Sequence, residues 1–114
     1  MNASDRSGVI RLDDASAQIP GPAREHYATL LQRGSLRLLL SRPLRPNEQA
    51  PHAQDELYFI VQGSGVLFHD GKRERFKAGD ALFVAAGTEH HFEDSSDDFA
   101  VWVVFYGPQG GEEA

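Results

Sequence analysis

The chain contains no cysteine among its 114 residues. That excludes disulfides, thiolate metal sites and cysteine nucleophiles together. It also fits a reducing compartment, and a cytoplasmic location is expected. Basic charge is scarce: 11 Lys and Arg stand against 17 Asp and Glu, a formal net charge of −6. Such a chain repels phosphate backbones and shows no basic stripe, so neither nucleic acid nor an anionic membrane is an expected partner. Long hydrophobic runs are missing too. The longest, AVWVVFY, is too short to cross a bilayer as a helix. The N-terminal stretch MNASDRSGVIRLDDASAQ is polar and acidic, with no apolar core of a signal peptide.

What is present is an ordinary globular mixture, 40% hydrophobic and 25% charged. The length suits one domain with one core. Residues 1–18, rich in Ser, Ala and Asp, read as a flexible N-terminal arm. A single domain is expected over 19–108, and residues 109–114, ending in GGEEA, read as a disordered tail. IPGP at 19–22 is a rigid turn or extended piece. AREHYATLLQ has the composition of a short helix, but its second half, YATLLQR, reads better as a strand. Arg-Gly-Ser then makes a hairpin with SLRLLLSR, in which Leu36, Leu38 and Leu40 alternate against Arg37.

After the proline-bounded loop PLRPNEQAP, turn signals recur quickly. ELYFIVQ ends at Gly-Ser-Gly, and VLFHD turns through Asp-Gly into KRERF. KAGD leads into ALFVAA, GTEH into HFED, and SSDD into FAVWVVFYGP. Short apolar strands broken by glycines indicate an all-β sandwich or barrel. No repeat of 20 to 50 residues is present. The Gly-Ser-Gly at 63–65 precedes no helix and is no phosphate loop. Ser64 lacks the context of a nucleophile elbow.

The chemistry concentrates at PHAQDELYF. His52 and Glu56 lie four positions apart, roughly 13 Å on a straight strand at about 3.3 Å per residue. Two ligands of one metal sit only about 3 Å apart, given metal–ligand distances of about 2 Å. The pair can share an ion only if Ala53-Gln54-Asp55 bends the chain, and Pro51 and the polar HAQD segment favour that bend. Downstream, GDALFVAAGTEHHF offers His90 and His91. In an extended segment one faces inward and the other outward. His52, Glu56 and His90 would supply two imidazoles and one carboxylate with open positions, a set suited to divalent iron, manganese, nickel or zinc. The bland alternative is a hydrogen-bonded pair closing a strand end. Asp55 reads as a solvated turn acid, His91 as a rim residue, and His26 and His69 as surface residues.

Residues 50–94 resemble the two motifs of the cupin superfamily. The first runs His-x-His, three or four residues, Glu, six residues, Gly; His52, Glu56 and Gly63 match it. The second runs Gly, five residues, Pro-x-Gly, two residues, His, three residues, Asn; Gly79, Gly87 and His90 match it, with Ala85 at the Pro and Asp94 at the Asn. The family's first His falls on Ala50. The resemblance implies a small cupin-type, jelly-roll-like β-barrel of antiparallel sheets, with a divalent transition metal held by His52, Glu56 and His90. Gln49 or Gln54 could stand near the missing position, with water as the preferred fourth ligand. Strand parity with Glu56 makes Tyr58 a pocket candidate, together with Gln54, Phe92, Trp102 and Tyr106. Two functions stay open: a metal-dependent enzyme on a small organic molecule (dioxygenase, isomerase or decarboxylase), and a non-catalytic small-molecule binding or sensing protein. A homodimer paired through residues 27–33 is expected, because a barrel this small leaves sheet edges exposed.

Overall fold

The structure, a computed structural model, describes residues 7–113. Residues 1–6 of the expected arm, and Ala114, lie outside the described residues. The eight segments read as strands are the eight strands observed: β1 (Tyr27–Arg33), β2 (Leu36–Ser41), β3 (Asp55–Gln62), β4 (Ser64–His69), β5 (Lys72–Lys77), β6 (Ala81–Val84), β7 (His90–Glu93) and β8 (Ala100–Tyr106). A short helix, α1 (Leu12–Ser16), precedes them. It lies within the segment expected to be a flexible arm, packs beside β1 and fully buries Ala15.

The strands form two antiparallel sheets. One has five strands in the order β1-β2-β8-β3-β6, and the other has three in the order β5-β4-β7. Their inner faces meet in one core. Leu67, Phe76 and Phe92 of the small sheet pack against Ile60, Val101 and Val103 of the large one, with Phe99 beside them. Phe92 sits at the centre of an aromatic cluster, edge-on to Tyr58 at 5.0 Å and to Phe99 at 5.0 Å between ring centroids. This is the expected jelly-roll-like barrel, in which closing the sheets on one another buries the face that each strand turns inward.

The turn that carries the chain from β3 in one sheet to β4 in the other depends on Gly63. Its φ is +86°, and a Cβ there would stand 2.8 Å from the Phe99 Cα. A side chain is therefore excluded both by conformation and by the close approach of the segment leading into β8. Asp70-Gly71 closes β4–β5, with both residues at positive φ, as an Asp-Gly hairpin turn requires.

Two readings of the chain ends and faces differ from the observed fold. The segment read as a disordered tail is tied down: the Gly110 N–H donates to the Ala53 carbonyl at 2.7 Å, and the Glu112 N–H to Asp55 Oδ2 at 2.9 Å. In β2, Arg37, Leu39 and Ser41 pair with Phe105, Val103 and Val101 and share their inner face. Leu38 and Leu40 take the opposite face. The alternation of Leu36, Leu38 and Leu40 against Arg37 therefore does not mark the inner face, and Leu40 is fully buried although it faces away from the barrel interior.

Candidate metal centre

His52 lies just before β3, and the chain bends at Ala53 and Gln54 before the strand begins at Asp55. The bend brings His52 Nδ1 to 2.9 Å from Glu56 Oε1. Glu56 occupies an inward position of β3, and His90 opens β7 facing the same interior. His90 Nε2 reaches 3.3 Å from that same carboxylate oxygen. The three ligand atoms all lie within 4.8 Å of one another. Glu56 and His90 are almost completely buried, whereas the His52 side chain is 27% exposed.

Backbone contacts hold this arrangement. The Gly87 N–H donates to the His52 carbonyl at 2.8 Å, joining the turn before His90 to the bend before Glu56. The Ala86 N–H donates to Asp55 Oδ1 at 2.9 Å. Asp55 is therefore not a solvated turn acid. Its carboxylate clamps the Ala85–Gly87 turn from one side and the Glu112 N–H from the other. These bonds, from Glu112 first and Ala86 second, hold its pKa below the ordinary carboxylate value against the opposing effect of burial.

The donor chemistry at the centre is specific. His90 Nδ1 lies 2.8 Å from the Thr88 carbonyl, which only accepts, so the ring proton belongs on Nδ1 and Nε2 carries a lone pair. A neutral imidazole lone pair and a carboxylate oxygen then face each other at 3.3 Å. Two acceptors repel unless a cation stands between them. His52 Nδ1, Glu56 Oε1 and His90 Nε2 are all buried and have no hydrogen-bond partner of acceptable geometry, despite their short separations. A proton is one cation that relieves the clash. Burial opposes charge on both groups, yet their mutual contacts outweigh it: Glu56 is held below its usual pKa by His52 and His90, and His90 above its own by Glu56 and Thr88. A divalent metal is the other cation, and the donor set suits one. Three unpartnered donors converge, and the nitrogen and oxygen donor types suit first-row transition ions better than magnesium or calcium. The carbonyl bond behind His90 is the kind of outer contact that orients a ligating imidazole.

The centre opens on a cavity of about 500 Å³. Its wall includes His52 and Glu56 and, of the pocket candidates, Tyr58 and Phe92. The Tyr58 hydroxyl donates to Gln49 Oε1 at 3.3 Å. Burial, and secondly the nearby Glu56 charge, push its pKa up, which keeps the phenol protonated and a donor. The other candidates are elsewhere. Trp102 and Tyr106 face away from the cavity, because Val101, Val103 and Phe105 take the inward positions of β8. Gln54 is consumed by structure: its amide donates to the Ser35 and Gly107 carbonyls, both at 2.9 Å. Gln49 does line the cavity, whereas Ala50 is exposed. His91 stacks on Phe68 and bonds to Glu93, outside the centre as expected.

Two cavity residues escaped the sequence reading. Asn47 Oδ1 accepts from the Phe92 N–H and from the Gln49 amide, pinning the loop before β3 onto β7. Nothing in its local sequence signals that. Arg37 faces the cavity from β2, and its even spacing from Leu39 and Ser41 was the available signal.

Comparison with known proteins agrees with this architecture. The family model described as a cupin domain matches residues 44–106. An uncharacterized protein of Streptomyces coelicolor is 38% identical over 102 residues, which is 89% of this chain and 97% of that protein. Acireductone dioxygenase 1 of Pectobacterium atrosepticum is 35% identical over 68 residues, 55% of this chain but only 39% of that enzyme. Among solved structures, a Cupin 2 conserved barrel domain protein from Salinispora arenicola superimposes with a TM-score of 0.63 over 90% of each chain. At 19% identity, that likeness speaks for the fold.

Proposed function

The chain belongs to the cupin domain family, and on that premise we propose that it binds a divalent transition metal through His52, Glu56 and His90 and acts as an enzyme on a small organic molecule. The observation that carries this reading is the convergence of three buried donor atoms without hydrogen-bond partners. A bound ion would supply Lewis acidity, and with iron a place for dioxygen chemistry, at the inner end of the cavity. The chain's own residues do the rest. Tyr58 offers a buried hydroxyl proton beside Glu56, the apolar wall excludes water, and the half-open His52 side admits the ligand. The partial likeness to an acireductone dioxygenase supports the enzyme reading, over the 39% of that enzyme it covers. The experiment is turnover. Protein reconstituted separately with iron(II), manganese(II), nickel(II) and zinc(II) is screened for dioxygen uptake and for conversion of small organic acids. Activity that needs one of these ions and disappears in His90→Ala supports the enzyme.

One observation favours a second reading, a non-catalytic binding or sensing protein. Ala50 leaves the centre with three protein ligands where the family pattern has four, and among the described residues no other side chain joins the cluster. Metal-dependent ligand binding without turnover in that screen would select it. We also propose a homodimer. β1 is the terminal strand of the five-stranded sheet, the position at which a second copy would pair. Light scattering at micromolar protein is expected to give twice the chain mass, and a monomer mass would reject the pairing.

A further inference from the structure

A half-buried arginine on the inner face of a barrel is costly, because a charge withdrawn from water needs a partner. Arg37 is such a residue. Its guanidinium lies 4.8 Å over the Phe105 ring centroid, within the cavity wall. His52 meets the same ring edge-on at 4.9 Å, so the guanidinium and the candidate metal ligand lie across a single phenyl group. Two other arginines have carboxylates, Arg73 with Glu93 and Arg45 with Asp97; Arg11, Arg24, Arg33, Arg42 and Arg75 are exposed to water, as Arg37 is not. Among the described residues, no acid pairs with Arg37. The remaining ionisable groups of the wall do not answer it. Glu56 is turned to the two histidines, Glu48 is exposed on the loop before β3, and His26 carries no negative charge. Beside Arg37 the wall is largely apolar, with Leu39, Val101, Val103 and Phe105 facing in.

We infer that Arg37 is the anion-recognition residue of the cavity. It binds the carboxylate of a small organic acid whose apolar body lies along Leu39, Val101 and Val103, with its reacting end toward His52, Glu56 and His90. The inference rests on the proposed metal centre only for that last orientation. Arginine suits the task because its planar fork accepts a carboxylate with two parallel hydrogen bonds while its face stays stacked on an aromatic ring. The Phe105 ring holds the guanidinium in place before the ligand arrives, which lowers the entropy lost on binding.

The test uses the full chain, metal-free and zinc-loaded, in nuclear magnetic resonance titrations observing the arginine Nε–H signals. The probes are benzoate, its neutral analogue benzamide, and phenyl phosphate. Wild-type protein is expected to show a saturable shift with benzoate, at an affinity at least about tenfold above that for benzamide. Arg37→Gln is expected to bring the two probes within about twofold, with zinc stoichiometry unchanged. Arg37→Met, which keeps a stem over Phe105, gives the same readout should the glutamine variant not fold. Arg37→Lys retains part of the preference. Equal binding of benzoate and benzamide to wild type would overturn the assignment, as would a benzoate preference that survives both neutral variants. Tighter binding of phenyl phosphate than of benzoate would overturn the carboxylate. Failure of zinc to bind, with the Arg37-dependent benzoate preference intact, would defeat the metal centre and leave Arg37 in its role.

Discussion

Replacing Glu56 with glutamine isolates what the buried carboxylate does. The change keeps the shape of a side chain that is 2% exposed and removes its charge. In the wild type, Glu56 Oε1 is the atom on which both imidazoles converge, at 2.9 and 3.3 Å. An ion supplied at about 100 times its dissociation constant stabilises the folded state by about 2.7 kcal/mol. For a domain of this size about 1 kcal/mol moves the melting temperature by about 4 to 8 °C, so the expected rise is about 10 to 20 °C. Losing the only anionic ligand is assigned a weakening of about a hundredfold, the upper end of what outer contacts of metal sites alone are worth. At the same metal concentration the ion is then near its dissociation constant, and the stabilisation shrinks to about 0.4 kcal/mol, or about 2 to 3 °C. The assay is differential scanning calorimetry across a zinc or manganese titration. His91→Ala serves as the control, since His91 bonds to Glu93 away from the centre and its loss should leave the rise intact. An equal rise in wild type and Glu56→Gln would refute the reasoning, because the ion would then be binding somewhere else.

Two further outcomes follow from the supports of the centre. Asp55 has a folded pKa below its unfolded value, so its contribution is present above about pH 4 and is lost as the pH falls through the folded pKa; Asp55→Ala should flatten the acid limb of a stability–pH profile, and an unchanged limb would show that its bonds to Ala86 and Glu112 carry no weight. Gly63→Ala should destabilise the protein by at least about 1 to 2 kcal/mol from the positive φ alone, read as a lower urea midpoint at unchanged slope.

Much of the fold was legible because the strands are short and each break carries a glycine, a run of prolines or an acidic loop. Those local signals agree with the tertiary structure at all eight strands. The cluster of His52, Glu56 and His90 was legible for a different reason. A histidine and a glutamate four apart can meet only through a bend, and Pro51 and the polar HAQD segment supply one. Strand faces were harder. AVWVVFY is apolar at every position, so alternation does not say that Val101, Val103 and Phe105 point inward and Trp102 and Tyr106 outward. In LRLLLS the consecutive leucines at 38, 39 and 40 leave the faces open in the same way, and the spacing of Arg37, Leu39 and Ser41 was the signal for the inner one. Asp55 and the tail were misread together. Each is polar and would be solvated alone, and it is their contact that buries the Asp55 carboxylate and orders Gly110 and Glu112. Local composition carries no trace of a partner 57 residues away.

The central claim is that His52, Glu56 and His90 form a metal centre. Metal content by mass spectrometry on tag-free protein tests it most directly, with a His52→Ala/His90→Ala double variant measured beside it. The account predicts about one divalent transition ion per chain, on three converging ligands, and its loss from a double variant that remains folded. A wild type that holds no metal even after reconstitution with iron(II), manganese(II), nickel(II) and zinc(II), or a double variant that holds as much as the wild type, would contradict it.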